Sequence, residues 1–309
     1  MNIPFFDYKS FCKDINYLDL VQEVLDTGYL IGGPYVDELE RLIQELTGVK
    51  HCISVGNATD AMEIIFSFLK LPPSSNVLVP AHTMLATASA AKVGNLNPVP
   101  VDVDPNSLML EIDQIKNCDL KNVSACMVTQ LNGVVADMEP IKDFCESKNI
   151  ILIEDSAQGI GAFNGSKHAG SWGIGGCLSF YPAKVAGGLG DGGALITNND
   201  YLSDYAKSVR DHGRGEKYEA INWGRNSRLD SINARVIIDR IVNLKLLINK
   251  RRKLASIYDN RLKELEFNAN LKLPPKYSTN SRSLSTYQNY EVQAKNMNDL
   301  KNYLYGNSI

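Results

Sequence analysis

The sequence has few cysteines, and none of them is placed to act together with another. The six cysteines are scattered along 309 residues, and no two of them form a CxxC pair. This spacing argues against a disulfide framework and against a zinc site. Reduced thiols in a cytoplasmic protein fit the pattern best, and no metal site is predicted.

A surplus of positive charge is missing as well. The formal net charge is -3, and no long basic stretch is present. A nucleic-acid binder would carry a basic patch, so that class is excluded. The short basic cluster at 250–253 lies in a helical pattern, where a solvated helix face is the simpler interpretation. No apolar run is long enough to span a bilayer and no signal pattern is seen, so no membrane association is expected.

What the sequence does contain is an alternation of apolar segments and helical patterns. Asp137 is placed to cap one of the predicted helices. Strands that alternate with helices indicate an α/β fold, with a mostly parallel sheet covered on both faces. The predicted strands are 77–80, 98–103, 124–129 and 150–153, and the predicted helices are 86–91 and 141–148.

The last part of the chain has a different pattern. One long helical pattern with an apolar stripe covers 229–265. Beyond it we predict a break at 271–275, a polar loop at 278–285, a strand at 290–293 and a helix at 298–305. The chain is therefore expected to form a large domain with an N-terminal arm over 1–240. A linker helix and a smaller, partial α+β domain would occupy 241–309.

The strongest chemical signal surrounds Lys184. Residues 179–184 read Ser-Phe-Tyr-Pro-Ala-Lys, and a glycine-rich stretch follows at 187–193. Glycines let the backbone come close to a ligand, and a lysine in a desolvated site can attack a carbonyl as an amine. A lone lysine here would more often be a surface residue beside a flexible loop, so the interpretation depends on the other motifs.

A carboxylate follows the most apolar predicted strand. Asp155 comes directly after this strand and Glu154, at the carboxyl end of the predicted sheet. Open α/β sheets bind their ligands at that edge. A carboxylate there can pair with a protonated pyridine nitrogen, and it could equally be a helix N-cap.

Two further turns could hold an anion. Residues 54–62 read as a strand, a turn and a helix start, where free N–H groups and the helix dipole suit a phosphate. Residues 224–230 place polar donors at the start of the long helical pattern. Ordinary capping explains both turns as well. The capping residues would be Asn57 or Thr59 in the first turn and Asn226 or Ser227 in the second.

Together these strings resemble the DegT/DnrJ/EryC1/StrS aminotransferases, which act on nucleotide-linked sugars. The resemblance runs from about residue 20 to the chain end, and its most specific parts are residues 154–158 and 179–184. The other matching strings lie at 28–34, 56–61, 80–87, 190–193, 212–214 and 226–230. The resemblance implies an enzyme of fold type I that uses pyridoxal 5'-phosphate (PLP). It also implies a homodimer with a shared active site.

Five residues are expected to lie around the cofactor, most of them by this resemblance. Lys184 would carry PLP as a Schiff base, Asp155 would pair with the pyridine nitrogen, and Gln158 would lie beside the ring hydroxyl. Met84 stands where the family usually has an aromatic ring stacked on the cofactor, and a thioether can pack against a ring face. His82 could stack there instead, or it could be a hydrogen-bonded loop histidine.

The resemblance also implies contacts away from the ring. The phosphate would be held by Ser179, by the backbone of Ala58 and Thr59, and by the partner subunit's Asn226. Substrate contacts are expected from Tyr29, His212 and Arg228.

The expected reaction moves an amino group from glutamate to a nucleotide-linked keto-deoxysugar, as in polysaccharide or O-antigen biosynthesis. The turn at 55–61 is more similar to family members that aminate C3 of a dTDP-linked sugar. Two alternatives stay open. One is a PLP-dependent sugar dehydratase, although such enzymes have histidine where this chain has Lys184. The other is a truncated, catalytically impaired remnant that still binds PLP, because family chains continue beyond the position of Ile309.

Overall fold

The computed structural model describes residues 3–215, 219–267, 271–275 and 283–309. The helices are α1 (Tyr8–Phe11), α2 (Tyr17–Thr27), α3 (Pro34–Thr47), α4 (Ala58–Leu69), α5 (Leu85–Val93), α6 (Ile112–Lys116), α7 (Met138–Ser147), α8 (Asp200–Arg210), α9 (Ser231–Val242), α10 (Leu244–Phe267) and α11 (Met297–Gly306). The strands are β1 (His51–Val55), β2 (Asn76–Pro80), β3 (Asn97–Val101), β4 (Val123–Thr129), β5 (Ile151–Asp155), β6 (Phe163–Asn164), β7 (Lys167–His168), β8 (Gly176–Ser179), β9 (Gly193–Thr197), β10 (Leu271–Lys272), β11 (Ser283–Leu284) and β12 (Gln293–Ala294).

A seven-stranded sheet with the order β1-β9-β8-β5-β4-β2-β3 forms the centre of the fold. The pairs β2–β3, β2–β4, β4–β5 and β5–β8 are parallel, whereas β9 is antiparallel to both of its neighbours. The predicted α/β fold with a mostly parallel sheet is therefore confirmed. The four predicted strands correspond to β2, β3, β4 and β5, although β3 ends at Val101 rather than at residue 103.

Helices cover both faces of this sheet. On one face, strand residues such as Ile53 and Met127 share a core with α4, α5 and α8. On the other face, residues such as Leu152 and Leu178 pack with α7 or with α3 and α9. Because alternate residues of a strand point to opposite faces, each central strand contributes to both cores. This arrangement explains why these strands are apolar at nearly every position.

Three of the predicted helix caps can be compared with the structure directly. Asn57 caps α4, because its side chain accepts a hydrogen bond from the N–H of Asp60 at 2.9 Å. Asp137 occupies the N-cap position of α7, but its side chain makes no capping hydrogen bond. Helix α9 is capped by Asp230 rather than by Asn226 or Ser227. Asp230 follows those residues and directly precedes the first helical turn, where its carboxylate can reach the orphan N–H groups.

The long helical pattern over 229–265 is two helices rather than one. Helix α9 ends at Val242 and α10 begins at Leu244. Between them, the side chain of Asn243 donates a hydrogen bond to the carbonyl of Asp239 at 2.9 Å. A side chain that bonds the backbone in this way competes with the helix. The prediction of one continuous helix was therefore wrong, although its apolar stripe is buried on both sides of the break.

The basic cluster at 250–253 was predicted to be a solvated helix face, and this is wrong for two of its members. Arg251 donates a hydrogen bond to the carbonyl of Gln288 at 2.9 Å. Arg252 donates one to the carbonyl of Ser285 at 2.9 Å. Burial lowers the pKa of both guanidinium groups. These arginines attach α10 to a segment much later in the chain.

The final part of the chain agrees only partly with the prediction. The predicted loop over 278–285 lies mostly outside the described residues, and its described end contains β11, which pairs with β6. The predicted strand at 290–293 is displaced, because β12 covers Gln293–Ala294. The predicted last helix corresponds to α11. The division of the chain at residue 240 stays a prediction.

Within the described ranges, no helix combines the length and the apolarity that crossing a membrane would require.

Candidate active site

Five of the parallel strands end at the same edge of the sheet. The register of the pairs places the carboxyl ends of β1, β2, β4, β5 and β8 together there, with the first residue of β9 among them. The loops that follow these strands therefore converge. They contain the residues 56–57, 81–84, 130–132, 156–158 and 180–184.

Asp155 lies at the centre of this edge and is held by several neighbours. Its side chain is 3% exposed. One carboxylate oxygen accepts a hydrogen bond from the hydroxyl of Thr87 at 2.6 Å. The other accepts from the N–H of Ala157 at 3.1 Å and from the thiol of Cys177 at 3.4 Å. No helix begins at this position, so the alternative of a helix N-cap is wrong.

Three threonines extend the support of this carboxylate. The hydroxyl of Thr83 lies 2.7 Å from that of Thr87 and 3.0 Å from that of Thr129. Thr129 is also the register partner of Asp155 on the neighbouring strand β4. This row of three threonine hydroxyls therefore fixes the Thr87 hydroxyl, which faces the carboxylate.

Lys184 lies on the turn that follows β8, within electrostatic reach of Asp155. Burial lowers the pKa of its amine, and the negative charge of Asp155 acts in the opposite direction. Cys177 is the register partner of Asp155, so both groups belong to the same row of the sheet. The sequence prediction that Lys184 and Asp155 face one site agrees with this arrangement.

The backbone on both sides of Lys184 is fixed by one side chain from far along the chain. The carboxamide of Gln288 accepts a hydrogen bond from the N–H of Val185 at 2.9 Å. It donates one to the carbonyl of Ala183 at 3.0 Å. No sequence motif pointed to Gln288.

The start of α4 lies beside the end of β8. Val55 pairs with Gly193, and Gly193 pairs with Ser179, so the three residues form one row across the sheet. A side chain at Gly193 would come within 2.6 Å of the backbone nitrogen of Ala58. The first amides of a helix have no acceptor inside it, so those of Ala58 and Thr59 can bind an anion. The structure thus brings the predicted phosphate ligands Ser179, Ala58 and Thr59 together.

The glycine-rich stretch was expected to approach a ligand, but Gly188 and Gly192 approach the protein itself. A side chain at Gly188 would come within 1.9 Å of the side-chain oxygen of Asn233. That oxygen accepts a hydrogen bond from the N–H of Leu189, and the amide nitrogen donates one to the carbonyl of Asp191. The glycines therefore let this loop pack tightly onto α9.

Gln158 lies beside the loop after β4. Its side-chain oxygen accepts hydrogen bonds from the N–H of Asn132 at 2.7 Å and from the side chain of Asn289 at 3.3 Å. Asn132 has a positive φ of 57° and donates from its side chain to Glu291. The predicted ring-hydroxyl residue is thus connected to the same late segment that contacts the Lys184 turn.

The two candidates for a stacking residue differ in environment. Met84 is 70% exposed and forms the N-cap position of α5. His82 is 2.9 Å from the carboxylate of Glu291. This pairing agrees with the alternative of a hydrogen-bonded loop histidine for His82. The predicted stacking of Met84 stays a prediction.

The predicted substrate and cross-subunit residues lie at or near the protein surface. Tyr29 is 58% exposed. Arg228 forms an ion pair with Asp211 at 2.9 Å and donates a hydrogen bond to the side chain of Asn226 at 3.2 Å. His212 is exposed and has a positive φ of 61°. These four residues are not part of the buried row around Asp155, and their roles stay predictions.

Ser227 connects this surface to the start of α4. Its hydroxyl accepts a hydrogen bond from the N–H of Gly56 at 3.0 Å and donates one to the carboxylate of Asp60 at 2.6 Å. From the sequence, Ser227 is predicted only as a possible helix cap. Its bonds hold the loop before α9 against the start of α4.

The chemistry of these side chains fits PLP. The site offers an amine with a lowered pKa, a buried carboxylate within its electrostatic reach, and a helix start beside a serine hydroxyl. These groups match an aldehyde, a basic ring nitrogen and a phosphate, in that order. The fit rests on Lys184, Asp155 and Ser179.

Comparison with known proteins supports the same conclusion. Residues 12–309 match the DegT/DnrJ/EryC1/StrS aminotransferase family. The chain is 33% identical over 276 residues to UDP-2-acetamido-2-deoxy-3-oxo-D-glucuronate aminotransferase of Pseudomonas aeruginosa, covering 89% of this chain and 75% of that protein. It is 34% identical over 265 residues to dTDP-3-amino-3,6-dideoxy-alpha-D-galactopyranose transaminase of Aneurinibacillus thermoaerophilus, covering 84% and 72% of the two chains.

A solved structure extends the comparison to the cofactor. NtdA from Bacillus subtilis, with bound cofactor PMP, superposes with a TM-score of 0.87 and 27% sequence identity. The match covers 97% of this chain and 68% of that chain. PMP is the amine form of PLP, so the predicted fold type and the predicted PLP dependence are both confirmed. On this evidence, the chain belongs to the DegT/DnrJ/EryC1/StrS aminotransferase family.

Proposed function

We propose that this chain transfers an amino group from glutamate to the C3 keto carbon of a sugar linked to a pyrimidine nucleoside diphosphate. The observation that carries the proposal is the Lys184 amine within electrostatic reach of the buried Asp155 carboxylate. An amine at this position favours amino transfer over the sugar dehydratase alternative, in which histidine replaces the lysine.

Lys184 is the group that would carry protons. Because burial lowers the pKa of its amine, a larger fraction of Lys184 is neutral near pH 7 than for an exposed lysine. The neutral Nζ can attack a carbonyl carbon, and it can accept the proton from the α-carbon of the amino donor. The same atom can later return a proton to the sugar.

Asp155 would hold the charge on the opposite side of the site. PLP, when bound here, supplies an aldehyde carbon and a ring that accepts electrons. The Asp155 carboxylate accepts hydrogen bonds from a hydroxyl and from an N–H, and these bonds fix its orientation. Asp155 would therefore keep the ring nitrogen protonated, while Thr87 keeps the carboxylate in place.

The phosphate would bind at the start of α4. Ser179 and the first amides of the helix, at Ala58 and Thr59, present donors there. Gln158, fixed by Asn132, would lie beside the ring hydroxyl.

The proposed substrate follows from the two named relatives. Both of their names place the keto or amino group at C3, one on a UDP-linked sugar and the other on a dTDP-linked sugar. The turn at 55–61 favours dTDP, as the sequence predicted. UDP is the second nucleotide to be tested.

Assembly belongs to the proposal as well. A homodimer would bring the partner subunit's Asn226 to the phosphate, with Tyr29, His212 and Arg228 contacting the substrate. The exposure of Asn226, Tyr29 and His212 in the single chain leaves them available for such contacts, whereas Arg228 is half-buried. The cytoplasmic location and the link to polysaccharide biosynthesis remain predictions.

The test is amino transfer from nitrogen-labelled glutamate to a panel of dTDP- and UDP-linked 3-keto and 4-keto sugars, followed by mass spectrometry of the products. We expect label at C3 for a pyrimidine-linked sugar. Lys184→Arg should lower the rate by about 1,000-fold or more, because arginine cannot act as the amine. Lys207→Arg, at an exposed lysine of α8, is the matched control and should retain full activity.

Three outcomes would contradict the proposal. These are transfer only to C4, loss of the sugar hydroxyl without amine transfer, and full activity in Lys184→Arg.

A further inference from the structure

The segment 285–291, which we call the strap, contacts the turn that carries Lys184. Its residue Gln288 is 7% exposed. The carboxamide of Gln288 forms one hydrogen bond to each peptide group that flanks Lys184, at Ala183 and Val185. We infer that Gln288 is a positioning residue for the Lys184 amine, a role that rests on the proposed function of that amine.

Only a side chain with both a donor and an acceptor can make this pair of bonds. The oxygen of the carboxamide accepts from Val185, and its nitrogen donates to Ala183. Val185 is 1% exposed, so water cannot readily replace the lost acceptor. Replacement of Gln288 by an apolar side chain would leave both peptide groups without these partners.

Gln288 is itself held at its backbone. Its N–H donates to the carbonyl of Asn132 at 3.0 Å, and its carbonyl accepts from Arg251 at 2.9 Å. The side chain therefore projects from a fixed point between the loop after β4 and helix α10. Because the backbone of Gln288 is fixed, its carboxamide holds the Lys184 turn in a fixed place.

Among the described residues, the backbone of Lys184 itself forms only local hydrogen bonds. The N–H of Lys184 bonds to the carbonyl of Tyr181 at 2.8 Å, and its own carbonyl accepts from Gly187 at 3.0 Å. Both bonds lie within the turn, so they define its shape but do not tie it to the rest of the site. Gln288 supplies that tie, and its loss should let the whole turn move relative to Asp155.

Such a movement has a distinct kinetic signature. Small displacements of a reacting group reduce the rate of the chemical step strongly. In the described structure, the groups proposed to bind phosphate and substrate form no hydrogen bond with Gln288. Loss of Gln288 should therefore lower kcat, while KM for the sugar changes little.

The first test compares Gln288→Met with Thr286→Val, a control on the same strap. The hydroxyl of Thr286 is buried and has no hydrogen-bond partner among the described residues, so valine removes no bond seen to hold Lys184. After loading with PLP, the covalent link at Lys184 is trapped with borohydride and located by peptide mass spectrometry. We expect Gln288→Met to lower the trapping rate and kcat by about 10- to 100-fold. The KM for the sugar should stay within about threefold, and Thr286→Val should behave as the unchanged chain does.

The second test uses Gln288→Glu and needs no fully apolar replacement. A protonated carboxyl group can donate to Ala183 and accept from Val185, whereas a carboxylate would face the carbonyl of Ala183. Burial raises the pKa of such a carboxyl group. The trapping rate of Gln288→Glu, divided by that of the unchanged chain, should therefore rise as the pH falls.

The outcomes separate the two proposals. If the unchanged chain is not trapped at Lys184, the proposed function fails and the role of Gln288 fails with it. If the unchanged chain is trapped but Gln288→Met matches it within twofold, only the role of Gln288 is contradicted. A pH-independent ratio for Gln288→Glu would also contradict that role.

Discussion

The two sides of the site are held by different parts of the chain. Asp155 is fixed by Thr87 in the first turn of α5, by Ala157 in the loop after β5 and by Cys177 of β8. The Lys184 turn is fixed by Gln288, which lies more than a hundred positions later. The comparison teaches that the carboxylate depends on the central sheet, whereas the amine depends on a late segment docked against it.

The largest effect is expected when the Asp155 carboxylate is removed. Asp155→Ala should lower the transfer rate by about 1,000-fold, because nothing would then hold the proton on the ring nitrogen. Asp155→Asn is the matched variant that keeps the shape. Since the Asp155 charge raises the pKa of Lys184, this variant should lower that pKa further. The pH dependence of Lys184 modification in the cofactor-free chain measures the shift, and a raised pKa would contradict the account.

The next effect concerns the residue beside Asp155. Glu154 is fully buried and accepts hydrogen bonds from the side chain of Gln130 and from the N–H groups of Gly170, Trp172 and Gly173. Glu154→Ala would leave these donors without an acceptor. It should lower the free energy of unfolding by about 3 kcal/mol or more.

The control for this change is Glu264→Ala, on the exposed part of α10, which should alter stability by less than about 0.5 kcal/mol. Urea denaturation of the three proteins gives the difference. Equal stability of Glu154→Ala and the unchanged chain would show that the end of β5 is not held in this way.

A smaller effect is expected where the strap meets α10. Arg251→Met removes the hydrogen bond to the carbonyl of Gln288 and should destabilise the protein by about 1–2 kcal/mol. It should also slow borohydride trapping at Lys184, because the anchor of Gln288 is loosened. Lys253→Met, at an exposed position of the same helix, should change neither quantity. If Arg251→Met and Lys253→Met slow trapping equally, the loss of the Arg251–Gln288 hydrogen bond does not explain the slower trapping.

An effect of similar size is expected for the threonine row. Thr87→Val keeps the shape but removes the 2.6 Å hydrogen bond to Asp155. Since hydrogen bonds to charged groups contribute about 1.5–3 kcal/mol, kcat should fall by roughly tenfold or more. Thr47→Val, which removes a buried hydroxyl in α3, is the control and should leave kcat unchanged. An unchanged kcat in Thr87→Val would mean that the sheet alone orients the carboxylate.

The sequence predicted the central sheet and the two key residues because their signals are local. An apolar strand that ends in Asp155, and an aromatic-proline turn that ends in Lys184, can each be read within six residues. The register of β5 with β8 then places the two near each other. Local patterns therefore sufficed for the residues that would perform the chemistry.

The supporting residues could not be predicted in the same way. Thr87 and Gln288 contact the site only because the folded chain brings distant segments together. The break at Asn243 depends on one side chain bonding a carbonyl, which the apolar stripe does not reveal. Arg251 belonged to a basic cluster that suggested solvent exposure, although its partner lies on the strap.

The most direct test of the central claim is to map the covalent attachment of the cofactor. The PLP-loaded chain is reduced with borohydride, digested and analysed by mass spectrometry, with Asp155→Asn treated in parallel. The account predicts that the label is found on Lys184 in both proteins, with transferase activity lost in Asp155→Asn. Label on a different lysine, or full activity in Asp155→Asn, would contradict it.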